Sequence, residues 1–271
     1  MVALRDGVAL VTGAGSGMGR GVALRFAREG TRVVVVGRSR GNTEETVDLI
    51  RAAGGEATAC IADVALQADA QRMVAAALET YGRLDFAANV AGVAAMPKPL
   101  TEMSLEEFED DHAVNSRGVF LGMKYQIPAM LKSGGGSIVN VTSGAAMGGL
   151  AYFSAYTAAK HAALGLTRVA ALEYATQGIR VNSVAPGAIA TPMLMRNDDD
   201  VLAPMRLSIP MKRFGTEDEI AAATIWLCSD ESSYVTGQIL PVEGGYTASA
   251  VTIVSADQLL ADGKAYAEAK G

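Results

Sequence analysis

Short apolar runs rich in β-branched residues alternate along this chain with longer stretches whose apolar residues recur every three or four positions. Val8–Thr12 reads as a buried strand, followed by a glycine-rich turn and a helix to about Arg28. Four consecutive valines at 33–36 are apolar without alternation, as in a central parallel strand covered on both faces. The pattern next predicts a helix over 44–53, stopped by Gly54 and Gly55, a strand over 57–62, a helix over 68–81 and a strand over 84–88. One long helix is expected from 104 to 131, with Ser104 and Glu107 spaced as a capping box. A strand over 137–141, a helix over 154–175, a strand over 180–184, a helix over 217–227 and a strand over 238–242 complete the series. Parallel strands joined by right-handed helical crossovers give an α/β fold, an open doubly wound parallel sheet with helices on both faces. It is expected as one domain over residues 1–250, with 251–271 as a C-terminal extension.

Sheets of this kind bind ligands outside the carboxyl ends of their strands. Gly13, Arg38, Asp63, Asn89, Ser143 and Pro186 all fall at such ends. At the first of them, Thr12-Gly13-Ala14-Gly15-Ser16-Gly17-Met18-Gly19 joins strand to helix. Glycines there permit a tight turn and let backbone amides approach a pyrophosphate at the positive end of the helix. The spacing is TGxxxGxG rather than GxGxxG, and no P-loop lysine is present, which disfavours nucleoside triphosphate hydrolysis. The second strand ends in Gly37-Arg38-Ser39. An acidic residue there would bind a ribose diol and repel a 2′-phosphate. Gly37 cannot do so, whereas Arg38 offers a planar fork for phosphate and Ser39 a hydroxyl. The pattern favours NADP(H), with NAD(H) as the alternative and a solvated loop arginine as the plain reading of Arg38.

Composition narrows the function. The chain has 271 residues, a net charge of −6 and 50% hydrophobic residues. With a pI near 5.1, no positive field draws it to nucleic acid or an acidic membrane. Cys60 and Cys228 form no CxxC pair, and His112 and His161 have no second histidine or cysteine nearby, so neither a disulfide framework nor a metal site is expected. The 8–11 run is too short for a secretory leader, and no stretch of eighteen uninterrupted apolar residues occurs. A cytoplasmic setting is therefore expected.

Tyr156 and Lys160 stand four apart on a predicted helix and so share a face, ~5–6 Å apart. A phenol with a pKa of about 10 is a sluggish base near neutrality. A neighbouring ammonium and a positive oxidised nicotinamide would lower that value. Ser143, just beyond the fifth strand, can donate to a carbonyl oxygen as negative charge grows on it. Tyr152, the rival phenol, has Tyr156 itself as its i+4 partner and is expected to shape the substrate wall.

This combination resembles the short-chain dehydrogenase/reductase family, in its short single-domain branch with a Rossmann-like fold, from about Leu4 to Thr247. TGAGSGMG is similar to the family's cofactor turn, Asp63-Val64 to its adenine-contacting pair, and Asn89-Val90-Ala91-Gly92 to its NNAG motif with Val90 substituted. Asn115 matches the family's helix asparagine, which holds a relay water beside the lysine. Ser143, Tyr156 and Lys160 match its catalytic serine and YxxxK. The segment Pro186, Gly187, Ala188, Ile189, Ala190 and Thr191 matches the PGxIxT stretch that contacts nicotinamide. The resemblance implies that Lys160 bonds the nicotinamide ribose, Ser143 orients the carbonyl, and Tyr156 exchanges the proton as hydride moves.

Residues 188–214 are the natural lid over the substrate, with Met193 and Leu194 as candidate contacts beside Ala145 and Tyr152, and 197–200 as a solvated acidic loop tip. The expected partner is a small carbonyl or alcohol, uncharged and partly apolar. A homotetramer is expected by resemblance, since the family pairs the two long helices between subunits. Reductases of ketoacyl chains on carrier proteins are similar, as are NAD-dependent alcohol dehydrogenases. Gln177 and the glycines at 134–136 supply no basic docking residues for a carrier. An epimerase or dehydratase would be longer, with other glycine spacing. A dinucleotide-sensing protein without chemistry would not need the intact Asn115, Ser143, Tyr156 and Lys160 set.

Overall fold

The computed structural model describes residues 4–248, so the extension expected at 251–271 lies outside the described residues. Seven strands form one sheet: β1 (Val8–Thr12), β2 (Arg32–Gly37), β3 (Ala57–Ile61), β4 (Phe86–Asn89), β5 (Gly136–Val141), β6 (Ile179–Pro186) and β7 (Ile239–Val242). Their order is β3-β2-β1-β4-β5-β6-β7 and every neighbouring pair is parallel. The winding reverses at β1, whose Thr12 lies opposite Val36 on one side and Asn89 on the other. A crevice opens at the carboxyl ends where two adjacent crossovers leave in opposite directions.

The described residues form eight α-helices, of which α1, α2, α3, α5, α6 and α8 pack on the sheet: α1 (Gly17–Arg28), α2 (Arg40–Ala52), α3 (Gln67–Tyr81), α4 (Leu105–His112), α5 (Gly118–Lys132), α6 (Ser154–Tyr174), α7 (Asp199–Ser208) and α8 (Glu217–Cys228). Strand periodicity divides the core in two. Val8, Leu10, Val34 and Val36 pack toward α3, α5 and α6, with Met73, Leu121 and Ala163. Ala9, Val11, Val33 and Val35 pack toward α1, α2 and α8, with Phe26, Ile50 and Ile220. This two-sided burial is why β2 reads as four valines in a row. Cys60 is a small buried member of the first cluster.

Two elements differ from the pattern's expectation. The helix expected over 104–131 is two helices separated by a π-turn, Ala113–Arg117, in which the Gly118 amide donates to the Ala113 carbonyl five residues back. Ser104 and Glu107 do form the capping box. The second difference is in the lid. The aspartates expected to form a loop tip instead open α7, with Asp198 as N-cap and Asp199 and Asp200 in the first turn, where the helix dipole favours negative charge. Among the described residues, no helix is long and apolar enough to cross a membrane, and no group of three or more His, Cys, Asp or Glu could hold a metal.

Candidate active site

A cleft of about 460 Å³ lies at the carboxyl ends of β1, β2, β4 and β5. Its floor is the turn between β1 and α1. Gly13 has φ +66°, and a Cβ there would lie 2.9 Å from Ala91 Cα. Gly19 is tighter still: a Cβ would meet the Gly13 carbonyl oxygen at 2.2 Å. The turn between β4 and α4 is tied to the same strand end, because Thr12 Oγ1 accepts from the Val90 and Ala91 amides at 3.0 and 3.2 Å. Ser16, the N-cap of α1, makes no side-chain bond to the helix amides. Gly17, Met18 and Gly19 therefore present their first-turn amides to the cleft with no capping oxygen of the protein's own.

Gly13, Ser16, Gly17, Met18, Gly19, Arg38, Ser39, Asp63, Val64, Ala91, Gly92, Tyr156, Lys160, Thr191 and Met193 line this one cleft. Ser39 also caps α2, its hydroxyl accepting from the Asn42 amide at 3.5 Å. Arg38 is largely exposed and lies 3.9 Å from Asp63 Oδ2. Other expected residues sit elsewhere. The Asn89 side chain turns into the core, donating to Gln126 Oε1 and Asn140 Oδ1 at 3.1 and 2.8 Å, so it braces the sheet against α5. Pro186 ends β6, and the Gly187 amide is held by the Val242 carbonyl at 3.0 Å. Ile189 is buried, bridges to Gly215 and borders a second cavity. Ala145 is buried behind Ser143. Leu194 opens a short turn held by Thr191 Oγ1. Tyr152, expected in the substrate wall, is 62% exposed, has φ +69° and does not line the cleft.

At the chemical end, α6 places Tyr156 and Lys160 on one face. Lys160 is 3% exposed, and its Nζ donates to the Val141 carbonyl at 3.1 Å and lies 5.5 Å from the Tyr156 ring centroid. Ser143 is the polar neighbour of the Tyr156 phenol and favours its ionised form. It also accepts from the Ala145 amide at 3.1 Å. Asn115 lies in the π-turn, fully buried, with Nδ2 donating to the Val93 carbonyl at 2.8 Å and Oδ1 accepting from the Val93 amide at 3.2 Å. A Cβ on Gly92 would lie 3.0 Å from Asn115 Oδ1 and 3.4 Å from Lys160 Nζ, so both polar atoms converge on one backbone position.

The electrostatics correct one expectation. The ammonium and an oxidised nicotinamide together were expected to pull the phenol's pKa down, and only the first is among the protein's own groups. Burial instead pushes Tyr156 up, Ser143 opposes that, and the Asp111 charge adds to it. The Lys160 nitrogen sits over the ring face and bonds the Val141 carbonyl rather than the hydroxyl. Burial lowers Lys160 itself to about 8, with Asp111 opposing. Asp111 was missed in the sequence because it ends an acidic run, Glu109-Asp110-Asp111, that reads as a solvated face. Its burial comes from the packing of α4 against α6.

The lysine shift makes a stability prediction. Its folded value lies below the ordinary 10.5, so between about 8 and 10.5 the unfolded chain binds more protons, and stability rises with pH through that window. Tyr156, shifted upward from 10.0, acts only above that value. Lys160→Met is thus expected to flatten the rise in unfolding free energy between pH 8 and 10 in urea titrations. An unchanged slope would contradict the buried-lysine account.

Comparison with known proteins places this geometry in a family. Residues 13–247 match a family model described as enoyl-(acyl carrier protein) reductase, adh_short_C2. Cyclohexanol dehydrogenase of an Acinetobacter species is 42% identical over 240 residues, covering 89% of this chain and 94% of that protein. A structure assigned as an NAD(P)-dependent gluconate 5-dehydrogenase from Beutenbergia cavernae, with bound NADP at low occupancy, superposes with a TM-score of 0.85 at 37% identity, covering 91% of this chain and 99% of that one. The 3-ketoacyl-(acyl-carrier-protein) reductase of Brucella melitensis, complexed with NADH, gives 0.84 at 36% identity, covering 90% and 100%. A strand–glycine turn–helix cradle, the Ser143, Tyr156 and Lys160 cluster beside it, and near full-length similarity of sequence and fold together show that this chain belongs to the short-chain dehydrogenase/reductase family.

Proposed function

We propose that the protein transfers hydride between NADP(H) and the carbonyl or secondary-alcohol carbon of a small uncharged substrate, with Tyr156 as the acid/base. The observation that carries this reading is the convergence of Tyr156, Ser143 and Lys160 at one end of the cleft whose other end is the uncapped start of α1. A dinucleotide fits the cradle: Gly17 carries no Cβ to fill it, and the nearest atom a Cβ would meet, on Thr191, is 3.6 Å away. The α1 amides would hold the pyrophosphate, Asp63 and Val64 the adenine, and Lys160 the nicotinamide ribose. When bound, the nicotinamide supplies or accepts the hydride, and its positive oxidised ring favours the phenolate.

The chain's own groups handle the proton. Tyr156 gives a proton to the substrate oxygen in reduction and takes one in oxidation. Ser143 donates to the same oxygen, which stabilises the charge developing there. Lys160 and Asn115 hold the inner end of the proton path beside Gly92. The cleft walls from Val93, Ala94, Val114, Pro192 and Met193 carry no charge, which supports a neutral, partly apolar substrate. Nicotinamide absorbance followed against a panel of neutral ketones and secondary alcohols tests the reading, and turnover confined to anionic substrates would defeat the substrate class.

The preference for the phosphorylated dinucleotide is carried by Arg38 together with the missing acid at Gly37. The guanidinium is exposed, and a 3.9 Å contact with Asp63 is too long to fix it firmly. Loss of a charge-assisted hydrogen bond worth ~1.5–3 kcal/mol is a factor of ~10 or more in affinity. Arg38→Asp is therefore expected to weaken NADP(H) binding at least ~10-fold and move the preference toward NAD(H). Equal binding of both forms by the parent protein would remove the argument. Exposed Phe120, Val169 and Leu172 on α5 and α6 support the homotetramer, which light scattering would test.

A further inference from the structure

We propose that Asp111 is a positioning residue for the reaction: its buried carboxylate holds the Asn115 amide and the 93–95 backbone in place beside Lys160, and supplies the negative charge that faces the lysine. Asp111 is 2% exposed, in the last turn of α4. Oδ1 accepts from Asn115 Nδ2 at 3.2 Å and Oδ2 from the Ala95 amide at 3.3 Å. The second Asn115 Nδ2 hydrogen goes to the Val93 carbonyl, and Asn115 Oδ1 accepts from the Val93 amide. One carboxylate thus ties the π-turn to the segment that follows Gly92, the point where Asn115 Oδ1 and Lys160 Nζ converge. A carboxylate in this place is costly to bury unless its partners use it, and every partner here leads to the proposed proton path.

The charges around Asp111 are few. Burial pushes the Asp111 carboxyl above its ordinary range; the Ala95 amide and the charges of His112 and of Lys160, which faces it from α6, oppose that rise, and Asp110 adds to it. Asp110 is exposed, and His112 Nδ1 lies 3.1 Å from Ser116 Oγ. Lys98, on the segment after Ala95, pairs with Glu107. Tyr156, also on α6, is raised by the Asp111 charge. Removing that charge therefore makes the phenol easier to ionise.

This inference rests on the Tyr156 reading, and the test separates the two. Rates of alcohol oxidation are measured against pH for the parent, Asp111→Asn and Tyr156→Phe, per site counted by dinucleotide titration. Asp111→Asn is expected to lower kcat by ~10-fold or more with little change in the dinucleotide KM. Its acidic limb is expected to move to lower pH by ~0.5 unit or more. If Tyr156→Phe abolishes the limb but Asp111→Asn leaves both its position and kcat unchanged, the inference falls while the Tyr156 reading stands. If Tyr156→Phe keeps the limb, the Tyr156 reading falls. In the parent protein the Val93 and Ala95 amides are expected to exchange with deuterium at least ~10-fold more slowly than an unbonded loop amide. Free exchange at both overturns the inference even if no Asp111 variant folds.

Discussion

Tyr156→Phe is expected to lose turnover by ~100-fold or more, the scale of lost acid/base catalysis, while binding dinucleotide almost as tightly as the parent. The ring stays, so the apolar packing that α6 supplies at this wall is kept, and so is the face over which Lys160 Nζ lies. What goes is the only phenol that lines the cleft among the described residues. Ser143 remains, but a serine hydroxyl near neutrality does not exchange a proton with an alkoxide as readily, so it can orient a substrate without completing the reaction. Single-turnover absorbance changes and a dinucleotide titration on the same preparation separate the two quantities. Turnover within a few-fold of the parent would show that another group carries the proton.

Gly19→Ala is expected to damage both folding and dinucleotide binding. The added Cβ would lie 2.2 Å from the Gly13 carbonyl oxygen and 2.5 Å from its carbon. These are backbone atoms, and Gly13 cannot withdraw, because the other side of its Cα is already closed by Ala91. Overpacking of this kind costs ~1–3 kcal/mol of stability. The more specific effect is on α1, whose first amides shift away from the cleft. Losing two charge-assisted hydrogen bonds of ~1.5–3 kcal/mol each lowers dinucleotide affinity by ~100-fold or more. Thermal unfolding and a fluorescence titration give the two values. Parent-like affinity in a folded variant would mean that this turn is not the cradle.

The sheet was legible because both of its faces are buried. The four valines of β2 mark a strand covered on both faces, and Gly13, Arg38, Asp63, Asn89, Ser143 and Pro186 fall at or just beyond the strands' carboxyl ends. The π-turn was not legible, because one extra residue in a helical stretch leaves the three-to-four spacing nearly unchanged over so short a span. Helix α7 was hidden by Pro204 and by aspartates that read as a loop, although acids in a first turn are a helix-start signal. At the site, YxxxK could be read from spacing because its two residues share one helix. The direction of the Lys160 nitrogen could not, because it is decided by the Val141 carbonyl at the end of β5. The Asn89 side chain was misplaced for the same reason: its partners, Gln126 and Asn140, are 37 and 51 residues away. Asp111 is the clearest case, an acid in an acidic run whose burial depends on how α4 meets α6.

The π-turn at 113–117 has a consequence for how this family member can change in length. Each residue of an ordinary helix advances the side-chain direction by about 100°. Deleting one residue between Ala113 and Arg117 would return the stretch to a regular helix and leave α4 and α5 in nearly their present phase, because the wide turn absorbs its extra residue locally. What would change is the turn itself, where Asn115 would lose its place against Val93 and Gly92. The extra residue therefore serves the position of one side chain rather than the alignment of the two helices that flank it.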